Sequence, residues 1–488
     1  WDFLDSKLVP SHICSVQRCN SALRVLNAAT DEQVNGRVSR IAEMKVLRAH
    51  YYFELSRLFN KIPYFDENVE ISQYPDIPNN EFTRDEILSM LAKEMLDAAE
   101  LLPASQSEVG RIHKYIALAY AAKIKLYQAY QQDETTHAVT SINKELLREV
   151  VSLCDQVTAS NRYGLLDDFQ GLDLVANENG KESVFAIQYS MNDGTESAGR
   201  INWSNLLNSP GGGSPYGGDG FFLPSQDLIN AYQTDANGLP DFNYQSKSDY
   251  SWAVLNNGVY TLQNTTPNVD PRLDFVVGRP TITWKTYPDK PCEGWVRDKE
   301  TYGYNCAKRF WVSPESSDMF NGWPWGASQL NWQIIRYADI LLWKAEALIE
   351  LNEGDGLETA RDLINQIRNR ARNSAYVKDF NDHSKYAANY LVNPYPADVW
   401  NQDYARQALR WETRLEKALE GERFFDLVRW GIVETTMNKY ITAESDNRIY
   451  YANAHFTGGK DEYYPVPNNQ YGFSGGKYVQ NPGYAPFN

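Results

Sequence analysis

The chain has 488 residues, of which 42% are hydrophobic and 23% charged, so it is not globally disordered and is long enough for two lobes or an extended array. Its 47 basic and 63 acidic residues give a net charge of −16, which argues against nucleic acid as a partner. No apolar run approaches the roughly eighteen residues that a membrane-spanning helix needs, so no such helix is predicted.

The first third of the chain has helical periodicity. Apolar residues recur at three-to-four spacing over 34–60, which predicts a long amphipathic helix. A second helix is predicted from Thr83 to about Leu102, because the Thr83 hydroxyl and the Glu86 carboxylate can each satisfy an unpaired backbone N–H at its start. Two further helices are predicted over 111–130 and 143–160. The third contains small residues that allow close helix approach: Ala117, Ala119, Ala121 and Ala122.

The character of the chain changes after residue 165. Segments rich in Gly, Asn and Pro, such as SPGGGSPYGG, and short alternating runs predict loops and short strands. Helical periodicity returns at residue 331 and recurs across 402–440. We therefore predict a mainly α fold, an array of helical hairpins resembling tetratricopeptide (TPR) repeats, with a large loop-rich insert. We predict one domain over 1–488, whose parts are a TPR-like scaffold over 34–165 and 331–440, the insert over 166–330 and an irregular C-terminal segment over 441–488.

The stretch LEKALEGERFFDLVRWG, residues 415–431, combines many charges with aromatic side chains. We interpret it as a helical joint in the scaffold, with Gly421 at the turn. Its charged residues can pair across the joint: Glu416, Glu420, Arg423, Asp426 and Arg429. The alternative is a catalytic carboxylate pair, which would need two carboxyl groups on either side of a sugar cleft. Hydrolase, nucleotide and zinc motifs are absent, so no catalytic residue, cofactor or metal ligand is predicted.

Five segments resemble, in order, the SusD/RagB family of Bacteroidetes outer-membrane surface lipoproteins. They are EMKVLRAHYYFELSRLFNKIPYF, RIHKYIALAYAAKIKLYQA, IIRYADILLWKAEALIE with LINQIRNRAR, ALEGERFFDLVRWG, and EYYPVPNNQ followed by YVQNPGY. Each alone would be weak, since helical segments look alike, but together they cover most of the chain. WDFLDSK also resembles the segment that follows the lipid-bearing cysteine in this family, which implies an anchor upstream of Trp1.

The resemblance implies a function and a location. We expect a non-catalytic, outward-facing, lipid-anchored protein of the outer membrane that captures oligosaccharides for import through a SusC-like TonB-dependent transporter. The TPR-like face would pack on the transporter, and the loop-rich insert would hold the ligand. The alternatives are a peptide-binding relative that serves oligopeptide uptake, a glycoside hydrolase, or a purely architectural lid on the transporter.

Two of the five cysteines flank a loop-like segment. Cys292 and Cys306 are placed to close this loop with a disulfide, and two unpaired thiols fit the sequence equally well. The family resemblance implies passage through the periplasm, which favours the disulfide.

Tryptophan is concentrated in the second half of the insert. Six of the 13 tryptophans fall between residues 284 and 332, and a flat ring can stack on the apolar face of a sugar while nearby polar groups bind its hydroxyls. We expect Trp311 and Trp332 to be core residues and rank Trp203 and Tyr216 below the main candidates. The predicted ligand-binding residues are Trp284, Trp295, Trp323, Trp325 and Tyr287, with Tyr74, Asp76 and Asn80 from the segment after the first helix.

Overall fold

The structure is a computed structural model, and the chain divides into two compact units. The described residues are 9–195, 199–203, 208, 211, 213–218, 220–251, 253–256, 259–262, 267–288, 295–303, 305–322 and 326–487. Unit 1 comprises Trp1–Arg162, Phe424–Thr436 and Phe456–Asn488, and unit 2 comprises Tyr163–Arg423 and Met437–His455. Among the helices that the structure describes, none is both long enough and apolar enough to cross a bilayer.

The N-terminal part of unit 1 is a series of helices, each packed on the next. Its elements are α1 Val9–Ala28, α2 Arg37–Phe59, α3 Arg84–Leu101, α4 Lys114–Ala129, β1 Tyr130–Gln132, β2 Val139–Ile142 and α5 Lys144–Ala159. Contacts join α1 to α2, α2 to α3, α3 to α4 and α4 to α5. The four predicted helices are confirmed within a few residues, whereas α1 precedes the predicted scaffold and is absent from the prediction.

Helix α4 shows why alanine is frequent at this point of the array. Ala117, Ala119, Ala121 and Ala122 are all fully buried, and α4 packs on both α3 and α5. Small side chains let the helix axes approach closely on two sides, and larger ones would have to be accommodated by moving a neighbouring helix.

Helix α3 begins with the predicted capping box. The Glu86 backbone N–H donates to the Thr83 hydroxyl, and the Thr83 backbone N–H donates to Glu86 Oε2 at 2.8 Å. Two of the unpaired donors at the start of the helix are satisfied in this way.

Replacing Thr83 by alanine is expected to lower the free energy of unfolding by about 1 kcal/mol, because one backbone donor loses its acceptor. Denaturant unfolding checks this value. A serine at the same position keeps a hydroxyl, so Thr83→Ser should retain most of the stability. Equal stability of the alanine and threonine proteins would contradict the role of this cap.

Unit 2 combines short strands with a second set of helices. In chain order, its elements are β3 Ser183–Ile187, α6 Gln226–Ala231, β4 Ala253–Asn256, β5 Val259–Leu262, α7 Arg272–Val276, β6 Val277–Gly278, α8 Lys299–Tyr302, β7 Cys306–Ala307, β8 Trp332–Arg336, α9 Tyr337–Leu351, α10 Gly356–Asn373 and α11 Gln402–Glu416. Three further helices complete the chain: α12 Arg423–Arg429 and α14 Asn468–Phe473, which belong to unit 1 apart from Arg423, and α13 Val433–Ser445, which begins in unit 1 and ends in unit 2. The strands form two-stranded antiparallel sheets, β1 with β2, β3 with β8, β4 with β5 and β6 with β7.

Two boundaries of the predicted scaffold need correction. The helical segment expected from residue 331 starts with a strand, because Trp332–Arg336 pairs with Ser183–Ile187, and the helix begins only at Tyr337. The segment 441–488, predicted to be irregular, contains the end of α13 and the helix α14. The mainly α, hairpin-based architecture with short strands in the insert is otherwise confirmed.

Helices α9, α10 and α11 are joined to the insert by a network of buried ion pairs. Arg336 contacts Glu182 at 2.7 Å, Glu416 at 3.1 Å and Glu420 at 2.7 Å, and all four side chains are nearly inaccessible to solvent. Arg370 also binds both Glu182 and Glu416. Glu416 and Glu420 of the 415–431 stretch are therefore structural, as the sequence indicates, since both are enclosed by cations.

Candidate functional site

Unit 2 contains an open cleft of about 520 Å³. Its walls come from residues 169–175, 285–286 and 308–318, together with Phe275. We call it the Lys308 cleft, after the lysine in its wall. This volume lies within the range of pockets that hold small ligands, so the cleft is the candidate site among the residues that the structure describes.

One wall of the cleft is apolar. The rings of Phe169 and Phe275 stack with centroids 5.8 Å apart and planes 21° apart, and both side chains are buried. Phe169 begins a short 3₁₀ turn that is capped by Asp168, and its backbone N–H donates to the Ser374 hydroxyl at 2.9 Å. The position of this wall is therefore fixed by the end of helix α10.

Asp173 ties two cations to the inner wall. Its carboxylate accepts from Arg309 Nε at 3.0 Å and Lys285 Nζ at 3.2 Å, and from the Phe310 backbone N–H. Burial by itself would raise the pKa of Asp173, but Arg309 and Lys285 hold it below its usual range. Arg309 also reaches Glu420 at 3.3 Å, so the cleft wall is connected to the buried ion-pair network.

Lys308 is the most weakly compensated charge in this wall. Its side chain is only 2% exposed, and its ammonium donates to the Thr283 carbonyl at 2.8 Å. No carboxylate forms an ion pair with Lys308 among the residues that the structure describes. Burial lowers the pKa of Lys308 to about 7; the Asp274 carboxylate opposes this shift, and Lys285 adds to it.

The outer wall of the cleft carries hydroxyl and carboxylate groups. Glu315 accepts from the Thr286 hydroxyl at 2.8 Å, and Asp318 accepts from Gln329 Nε2 at 2.7 Å. Each of these carboxylates therefore has a neutral donor. The groups at the rim can therefore form hydrogen bonds with a polar ligand while the charge of the rim stays the same.

Three of the clustered tryptophans are core residues. Trp284 is fully buried and Trp295 is 2% exposed, and both pack with Trp311 and Tyr216 in one apolar cluster. This burial contradicts the prediction that Trp284 and Trp295 are open to a ligand for stacking, because the loops pack their indoles against one another. The indole N–H of Trp284 is satisfied by the Tyr216 hydroxyl at 2.9 Å. The predicted burial of Trp311 is confirmed, and Tyr287 is half-buried against the same cluster.

Residues 318–322 and 326–329, which flank Trp323 and Trp325 in the sequence, are hydrogen-bonded to each other beside the cleft, and we call them the loop base. Phe320 N–H donates to the Ala327 carbonyl at 2.8 Å, and Gln329 N–H donates to the carbonyl of Asp318, a residue that lines the cleft. Gly326 has φ +75°, and a Cβ there would lie 2.9 Å from the Trp311 ring, so glycine is needed where the loop passes the indole cluster. Trp323 and Trp325 lie outside the described residues, and their exposure stays a prediction.

Trp203 is an exposed aromatic side chain beside the same loop base. It is 44% exposed, and its neighbour Asn202 donates a backbone hydrogen bond to the Ser328 carbonyl at 2.8 Å. From the sequence, Trp203, which lies near SPGGGSPYGG, ranks below the main candidates. Its polar neighbours in INWSN were the available signal, since a core tryptophan usually has apolar residues at strand or helix spacing.

The N-terminal candidates belong to unit 1. Tyr74 is 5% exposed and its ring stacks on Phe65 with centroids 4.0 Å apart, which contradicts its use as an open platform. Arg24 donates to its hydroxyl. Asp76 is exposed and forms an ion pair with Lys477, and Asn80 is exposed. Binding by Asp76 and Asn80 stays a prediction.

Cys306 lies buried in β7, and its proposed partner Cys292 is outside the described residues, so the disulfide also stays a prediction.

Comparison with protein-family models identifies the chain. Residues 181–484, more than half of its length, match the model described as the SusD family. The chain belongs to the SusD family. A second stretch of this SusD protein, residues 10–126, matches a model described as starch-binding associating with outer membrane. The resemblance seen in the sequence is thereby confirmed.

Individual relatives of this SusD protein are distant. A SusD-like protein from Bacteroides ovatus is 22% identical over 436 residues, which are 85% of this chain and 63% of that relative, so the chain spans less than two thirds of the relative's length. Surface glycan-binding protein A from Bacteroides fluxus superposes with a TM-score of 0.68 at 21% identity, covering 98% of this chain and 85% of that one.

Surface glycan-binding protein A from Bacteroides thetaiotaomicron, solved in complex with laminarihexaose, superposes with a TM-score of 0.63 at 18% identity, covering 97% of this chain and 85% of that one. These likenesses show a shared fold.

Proposed function

We propose that this SusD protein is a non-catalytic glycan-binding protein of the cell surface, which captures oligosaccharides for import through a SusC-like TonB-dependent transporter. The observation that carries the proposal is the Lys308 cleft, an open, hydrogen-bonding cavity. The exposed Trp203 adds to it, because its neighbour Asn202 is hydrogen-bonded to Ser328, and Gln329 is hydrogen-bonded to Asp318 of the cleft. The starch-binding family match and the glycan-binding proteins that share the fold support it. Lipid anchoring at the outer membrane and the transporter partner are part of the same proposal.

A sugar would use the two parts of this site differently. Trp203, with Trp323 and Trp325 of the adjoining loop, would stack on the apolar faces of the rings. Thr286 and Glu315 at the rim of the cleft would hydrogen-bond the ring hydroxyls, since a carboxylate accepts from two neighbouring hydroxyls and a threonine can donate or accept. Stacking and hydrogen bonding require only groups that bind and position the sugar, so the proposal contains no chemical step.

The charged groups of the 415–431 stretch do not favour a glycosidase. A glycosidase needs one carboxyl that stays protonated near neutral pH, to act as the general acid. Burial would raise the pKa of Glu416, but Arg370, Arg336 and Arg272 hold it at about 2, and Arg336 and Lys417 similarly lower the pKa of Glu420. Both carboxylates are therefore ionised and enclosed by their cations.

Calorimetric titration with a panel of hexasaccharides, including laminarihexaose and maltohexaose, tests the proposal. Trp203→Ala, Trp323→Ala and Trp325→Ala should each weaken binding of the preferred glycan about tenfold, the effect expected for one stacked ring, with the melting temperature unchanged. Tyr450→Ala is a matched control, because Tyr450 is an exposed aromatic residue of unit 2 outside the cleft and the loop.

Absence of binding to every glycan, tighter binding of oligopeptides in the same panel, or turnover of the bound sugar would each refute glycan capture. Equal losses of glycan affinity in Tyr450→Ala and Trp203→Ala would instead mean that the glycan binds outside the cleft. Co-purification of the full-length protein with a TonB-dependent transporter tests the partner, and its failure would remove the import step alone.

A further inference from the structure

The charge balance of the Lys308 cleft indicates what kind of glycan it accepts, an inference that depends on the proposed function. Every carboxylate in the wall already has a donor: Asp173 holds Arg309 and Lys285, Glu315 holds Thr286, and Asp318 holds Gln329. Among the residues that the structure describes, the hydrogen-bond partner of the Lys308 ammonium is the neutral Thr283 carbonyl alone.

The surroundings of Lys308 do not supply a counter-charge. The fields of Asp274 and Asp173 favour the ammonium, but Asp274 is engaged by Nε and Nη2 of Arg279, each at 2.9 Å. Asp173 is shared between Arg309 and Lys285. The positive groups Lys285 and Arg279 also face Lys308 and disfavour its charge. A buried ammonium with one neutral acceptor is costly, and an incoming anion would reduce that cost.

The cleft is also much larger than a single anion requires. Its volume of about 520 Å³ is lined by hydroxyl and carboxylate groups suited to sugar hydroxyls, and Phe169 and Phe275 form an apolar wall. The ligand that satisfies all of these features carries one anionic substituent on a polyhydroxylated ring. A free inorganic anion would leave most of the cleft unused.

We infer that the Lys308 cleft binds an acidic sugar, with the uronate carboxylate or sulfate ester of one ring placed against the Lys308 ammonium. Lysine is a point charge with three donors, so it accepts either type of anion. Lys308 is thus a specificity-determining residue, and neutral rings of the same oligosaccharide occupy the remainder of the cleft.

The protonation of Lys308 gives the inference a pH signature. Burial lowers the pKa of Lys308 to about 7 in the absence of ligand, so the ammonium is present at pH 6 and largely lost at pH 8.5. An anion binds the protonated form, so affinity for an acidic sugar should fall as the pH rises through 7. Uronate carboxylates and sulfate esters are fully ionised across this range, so the change reports the protein and not the ligand.

Calorimetry with three probes tests the inference: trigalacturonate, its fully methyl-esterified form, and a sulfated galactose tetrasaccharide. At pH 6 we expect trigalacturonate or the sulfated sugar to bind wild-type protein at least tenfold more tightly than the neutral ester. Lys308→Met should abolish this preference while leaving affinity for the ester unchanged. Lys385→Met is the matched control, because Lys385 is an exposed lysine of unit 2 paired with Asp382.

The outcomes separate the inference from the proposed function. A charge preference that depends on Lys308 supports it, and the better of the two acidic probes identifies the anion. Equal affinity for acid and ester, or a preference that survives Lys308→Met, overturns it while glycan capture stands. If Lys308→Met does not fold, the wild-type pH profile decides: affinity for the better acidic probe must drop severalfold between pH 6 and pH 8.5. Absence of binding by the acidic, neutral and hexasaccharide probes together refutes both proposals.

Discussion

Replacing Glu416 by glutamine is expected to lower the free energy of unfolding by about 3–5 kcal/mol, among the largest effects of any single substitution in unit 2. Glu416 is fully buried, and its carboxylate lies 3.1 Å from Arg336 and 3.2 Å from Arg272, with Arg370 also in contact. Glutamine keeps the shape but removes the negative charge, so the buried guanidinium groups lose a counter-charge that they share. Denaturant unfolding at neutral pH measures the loss.

Acid should reproduce part of this effect. Because the cations hold the pKa of Glu416 at about 2, below its usual value of 4.5, the ionised carboxylate stabilises the fold at neutral pH. This contribution is complete above pH 4.5 and is lost as the pH falls towards 2. The Glu416→Gln protein should therefore show a shallower loss of stability in that window than wild type.

Glu358→Gln is the matched control for this substitution. Glu358 lies on the exposed face of α10, so its replacement should change stability by less than about 0.5 kcal/mol. A loss below about 1 kcal/mol for Glu416→Gln, or equal effects of the two substitutions, would mean that the network rearranges to compensate and that the ion pairs do not hold unit 2 together.

The elements that could be predicted are those whose signal is local. Helix α3 has its periodic apolar face, its capping box at Thr83 and a proline after its end, so sequence alone locates it to within a residue or two. Strand β8 has no such signal, because the apolar residues of WQIIR continue without a break into those of the helix that follows. Its pairing with β3, far away in the chain, decides the strand, and a long-range partner cannot be inferred from periodicity.

The site shows the same limit. The sequence locates a tryptophan-rich insert, but burial of Trp284 and exposure of Trp203 depend on how separate loops pack together. Lys308 has no distinguishing motif in CAKRFW. It becomes significant because Asp173 binds its neighbours Lys285 and Arg309 and leaves it with a carbonyl, a set of contacts between segments distant in sequence. Charge compensation is a property of the folded site.

Replacing Trp284 by alanine is expected to destabilise the protein by about 3–5 kcal/mol, because a fully buried indole leaves a cavity that its neighbours cannot fill. Its ring lies 5.2 Å from Trp295 and 5.9 Å from Tyr216, whose hydroxyl accepts from the indole N–H and donates to the Val312 carbonyl. Trp284→Phe keeps most of the volume and loses one hydrogen bond, so it should cost about 1–2 kcal/mol.

Denaturant unfolding and glycan calorimetry should be measured on both variants. A core role predicts that stability and glycan affinity decline together, slightly in the Phe variant and more in the Ala variant. If Trp284→Ala instead keeps its stability and loses only glycan affinity, then Trp284 contacts the ligand directly and the cluster opens in solution.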